Sequence, residues 1–127
     1  MSEIESSSSS DPQKNSFLEA VMNFNKGDYY LAHEILERIW LDTQGPKKHL
    51  LQSFIQLSVT LYLIKQDRLA GAVKVFLRAQ KNLDLVKDLD NLNPLLEIII
   101  NLKNEVDIIL KRANQGLGDD FQPQIQV

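Results

Sequence analysis

His33 and Glu37 are the pair in this chain whose types and spacing point most directly to chemistry. Four residues apart on a helix, they are surface neighbours. A histidine beside a carboxylate can share a proton with it or offer two donors to one metal ion. Trp40, three residues on, falls at the same edge, whereas Glu34 lies a ~100° step round from His33. The donor set stops short of a metal site. Structural zinc takes four protein ligands and catalytic zinc three plus water. His49 is the second of two histidines, and Glu37 stands where the His-Glu-x-x-His motif needs histidine. The chain has no cysteine, which removes thiolate sites, disulfides and a cysteine nucleophile.

Stepping outward, the elements that position this pair are helices. Phe24 to Trp40 reads FNKGDYYLAHEILERIW. Gly27 can end one helix in the left-handed conformation, and Asp28 can cap the next. Leu31, Ala32, Ile35, Leu36 and Ile39 then form one apolar arc, with His33, Glu37 and Trp40 at its edge. Before it, Ser16 and Glu19 form a capping box, predicting a first helix over 17–25. Gln44-Gly45-Pro46 breaks the second helix near Asp42, and Pro46 opens a third that runs to Lys65. This third helix is apolar almost all round, so others must surround it. Its polar stripe of His49, Gln52, Gln56 and Thr60 must find partners, because a buried unpaired amide costs ~1–3 kcal/mol. Asp67 is placed to cap a fourth helix over 68–86, in which Gly71 implies a close neighbour. Asn93-Pro94 opens a fifth helix, ended by Gly116 and Gly118. The fifth helix carries Ile98-Ile99-Ile100 and Ile108-Ile109-Leu110, too much for one neighbour and hence a candidate self-association surface.

At 127 residues the chain fits one domain. The expected division is a disordered serine-rich tail over 1–12, a helical domain over 13–116 and a flexible tail over 117–127. A net charge of −3 argues against a nucleic-acid binder. Lys47, Lys48 and His49 are the one basic cluster and read as a solvated helix start. The N-terminus has no signal-peptide pattern. The most apolar run, 50–64, is too short and too polar to span a bilayer, so a cytoplasmic, non-membrane protein is expected. An offset of 40 aligns Phe24 with Ile64, Asp28 with Arg68, Ala32 with Ala72, and Leu36 with Phe76. Two helical hairpins of similar pattern follow, paired in a tetratricopeptide-like way. The fold class is all-α, a compact five-helix bundle of antiparallel hairpins.

Phe24-Asn25-x-Gly27-x-Tyr29-Tyr30-x-Ala32-His33-Glu34-x-Leu36-Glu37-x-x-Trp40 resembles the signature of a small all-helical family, domain of unknown function 309. Leu51-Gln52-x-x-Ile55-Gln56, Gly71-Ala72 and Arg78-Ala79 extend the resemblance, over about residues 17–84. Members often carry a glutamate where this chain has Leu31, and many a histidine near Tyr62-Leu63. The resemblance implies the helical fold and carries no settled activity.

Two readings of function stand. The first is an interaction or scaffold module with a buried polar network drawn from Tyr29, His33, Glu34, Glu37, Trp40, Gln52 and Gln56. In it His33 donates to Glu37, and Gln52 or Gln56 closes the circle beside Trp40. Its partner is another protein, or a second copy meeting the last helix. The alternative is a small metal-dependent or acid–base hydrolase-like enzyme centred on His33 and Glu37. No cofactor is expected.

Overall fold

The computed structural model describes residues 12–117 and 120–126. Five α-helices follow one another: α1 (Pro12–Asn25), α2 (Tyr29–Leu41), α3 (Pro46–Lys65), α4 (Leu69–Asp84) and α5 (Leu95–Asn114). A short 3-10 turn, Asp90–Leu92, precedes α5. The fold is an all-α bundle, and no strand occurs among the described residues. Short connections fold α1 on α2, α2 on α3 and α3 on α4, each pair antiparallel. α3 is central: Leu50, Leu51, Phe54, Leu57 and Leu61 are wholly buried. The Phe54 ring meets Phe17 and Phe24 edge to face at 6.0 and 5.6 Å, and Phe24 meets Tyr29 at 5.1 Å. The buried hydroxyls on this helix are satisfied locally. Ser53, Ser58 and Thr60 donate to the carbonyls four residues back.

The turns repeat where the sequence repeats. After α1, the Asp28 N–H donates to the Asn23 carbonyl and the Gly27 N–H to the Phe24 carbonyl. Forty residues on, the N–H groups of Arg68 and Asp67 donate to the Leu63 and Ile64 carbonyls in the same pattern. Both are six-residue helix stops with a left-handed residue near the end, Gly27 at φ 88° and Asp67 at φ 58°. Gly116, at φ 76°, ends α5 in the same way. Asp28 caps α2 as expected, accepting the Leu31 N–H at 3.1 Å.

Several expectations are corrected. α1 begins at Pro12, a residue suited to a first helical position, so Ser16 lies inside the helix and the Ser16–Glu19 box does not form. Asp67 is spent on ending α3. The α4 cap is Arg68, with no side-chain cap bond. α5 begins at Leu95, after a cis Asn93–Pro94 bond, and Asn93 supplies no cap. Residues 1–11 of the expected tail, and Gly118, lie outside the described residues. Residues 120–126 carry no regular structure, and Pro123 and Ile125 among them are buried.

Candidate functional site

The expected site residues separate into two groups. His33 sits on α2 with its ring against Tyr30, centroids 4.8 Å apart. Its Nδ1–H donates to the Tyr30 carbonyl one turn back. That bond fixes the tautomer and leaves Nε2 as the basic nitrogen. Nε2 stands 3.9 Å from Glu37 Oε1, beyond hydrogen-bond reach. Glu37 is solvated, 56% exposed, so the pair is a loose surface contact. Glu34 is exposed on the next face. Gln56 does not join them. Its Oε1 accepts from Asn82 Nδ2 of α4 at 2.9 Å, while Asn82 Oδ1 faces His49 Nδ1 at 3.2 Å. The expected His33–Glu37–Gln circle is therefore absent. The polar ties that do form join α3 to α4, with Ser53 also reaching the Ala79 carbonyl. No group of three metal-ligand side chains occurs among the described residues.

Trp40 and Gln52 form the second group, at the end of the bundle where α2 stops, α3 starts and α4 stops. They line a groove of about 550 Å³ with Gly45, Pro46, Lys48, His49, Leu85, Val86 and Leu89. The basic cluster expected to be merely solvated contributes to it, and Lys48 Nζ lies 4.1 Å from the centre of the Trp40 ring, a cation–π distance. The Trp40 Nε1–H is buried without an acceptor. Leu41, beside Trp40, and Leu85 are 67% and 61% exposed. Burying them against a partner is worth ~1.5–3 kcal/mol for each fully covered leucine.

Tyr29 belongs to the opposite end. It is 2% exposed, its hydroxyl lacks a hydrogen-bond partner, and burial, helped by the Glu105 carboxylate, pushes its pKa up to about 12. Phe121 stacks on it at 6.3 Å, and Lys65 Nζ lies 4.7 Å from the Phe121 centroid. Asn25 beside them binds the backbone of Ile125 at both N–H and carbonyl. Sequence reasoning missed Asn25, Lys65, Phe121 and Ile125. Their one local sign was Phe121, Pro123 and Ile125 alternating with glutamines.

Residues 17–75 match the family described as domain of unknown function (DUF309). The resemblance carried by the Phe24–Trp40 run is thus shown over α2, α3, most of α1 and the first part of α4. Arg78-Ala79 lies beyond the match. No curated protein and no solved structure matches the chain.

Proposed function

We propose that the protein is a helical interaction module whose partner docks at the Trp40 groove. The observation that carries this is that two exposed leucines, Leu85 and Leu89, line one groove with a half-buried indole and the basic residues Lys48 and His49. Patches of this composition mark interaction sites. Self-association through α5, the other partner considered, draws less support. Its outer face sets Ile108 among Asn101, Asn104, Glu105, Lys111 and Arg112, all exposed. No helix among the described residues is long and apolar enough to cross a membrane, which is compatible with a cytoplasmic site of action.

A photo-crosslinking side chain at position 85 tests the docking. A discrete protein adduct from position 85, absent from position 108 and lost with Leu89→Asp, supports the reading. Equal adducts at both positions, or none at 85, overturns it. The hydrolase-like alternative keeps one observation in its favour, the tautomer-fixed His33 with Nε2 free to take a proton. Turnover of generic ester or phosphoester substrates by the wild type, abolished by His33→Ala, would favour that reading instead.

A further inference from the structure

At the end of the bundle away from Trp40, the chain already holds a peptide segment outside any helix, its own residues 121–125. Asn25 closes α1, and its carboxamide reads one residue of that segment at both backbone groups. Nδ2 donates to the Ile125 carbonyl at 2.8 Å, and Oδ1 accepts the Ile125 N–H at 2.7 Å. The Asn25 carbonyl, one of those left over at a helix end, accepts from Gln122 and Gln124 Nε2, each at 2.8 Å. The negative end of the α1 dipole favours such donors over carboxylates. Phe121 stacks on the Tyr29 ring and is also met by the Lys65 ammonium. Pro123 and Ile125 are buried, and Ile125 shares a small cleft with Ile98, Leu102 and Glu105 of α5. Asn25 and Lys65 are equivalent positions in the 40-residue repeat, so both hairpins grip the same segment.

The backbone fork at Ile125 is sequence-tolerant, whereas the helix-end carbonyl takes glutamine amides and the shelf takes an aromatic ring. We propose that Asn25, Tyr29 and Lys65 form a peptide-binding site for an extended, uncharged segment with an aromatic residue, a proline two on and a branched aliphatic four on. Residues 121–125 are its built-in competitor. The cradle residues lie within the family match and the competitor lies outside it. The segment is tethered by a short stretch after α5, which gives an effective concentration of order mM. A partner segment in trans binds well only once the tethered one is released. The site is separate from the Trp40 groove and stands or falls without it.

The test uses the full chain and a fluorescein-labelled heptapeptide of residues 120–126, read by anisotropy. Ile125→Asp should release the tethered segment, since it would place a carboxylate in the cleft beside Glu105. The labelled peptide should then bind this variant at least tenfold more tightly than the wild type. Adding Asn25→Ala, or using a peptide with aspartate at the isoleucine position, should abolish the gain. A folded Ile125→Asp chain that binds the peptide no better than wild type overturns the proposal, as does binding indifferent to Asn25→Ala. If circular dichroism shows that Ile125→Asp has lost its helices, Phe121→Ala in the full chain takes its place under the same criterion.

Discussion

Tyr29 is the residue whose chemistry the fold alters most. Its hydroxyl is buried and unpartnered, and leaving such a group unsatisfied costs ~1–3 kcal/mol. Tyr29→Phe should therefore raise stability by about 1 kcal/mol in urea unfolding. The pH dependence follows from the raised pKa, about 12 against an ordinary value of 10. Below pH 10 the phenol is protonated in both folded and unfolded chains and the full stability is present. Between pH 10 and 12 the unfolded chain ionises first, so stability falls as pH rises, by ~2 kcal/mol in all. The Tyr29→Phe chain should lack that component, which separates it from lysine titration in the same range. His33 and Glu37 behave differently. At 3.9 Å with a solvated carboxylate, their coupling in a double-mutant cycle should be below ~1 kcal/mol, and Glu37→Ala alone should shift thermal melts little. Their adjacency was legible from i,i+4 spacing. What spacing could not show is that the backbone carbonyl of Tyr30 outcompetes Glu37 for the imidazole N–H, or that Gln56 turns to Asn82.

Element by element, the end of α1, the starts of α2 and α3 and the end of α5 were legible because each is marked by a residue with one good use: Gly27, Asp28, Pro46 and Gly116. The failures are instructive where two uses compete. An aspartate before a helix can cap it, but Asp67 sits where α3 needs a left-handed residue, and ending α3 wins. Gly27 and Asp67 hold equivalent places at φ 88° and 58°, so opposite substitutions should act oppositely. Gly27→Ala should destabilise by ~1 kcal/mol, and Asp67→Gly should stabilise by ~0.5–1 kcal/mol in chemical denaturation. Gly71 was read as a mark of close approach. A Cβ there would meet Leu63 Cδ1 at 3.5 Å, an ordinary contact. Gly71→Ala should accordingly stabilise α4 by up to ~1 kcal/mol in the same assay; a loss would mean that α3 and α4 cannot accommodate the methyl group.

Across the whole molecule, the bundle is tied shut by a pairing that no local pattern announces. Asn25 and Ile125 are 100 residues apart in sequence, and periodicity reports only on neighbours within a helix or strand. For that reason the last residues read as a loose tail. The pairing predicts that the Ile125 amide exchanges with solvent markedly more slowly than that of exposed Gln126, and that Asn25→Ala erases the difference in hydrogen-exchange measurements. The same separation bears on how the protein is made. Translation runs from the N-terminus at ~5–20 residues per second, so Asn25, Tyr29 and Lys65 are all polymerised several seconds before Ile125. On the proposed peptide site, each newborn chain passes through an interval in which Asn25, Tyr29, Lys65 and then the α5 cleft residues have been synthesised and Ile125 has not, so a segment in trans would meet no tethered competitor.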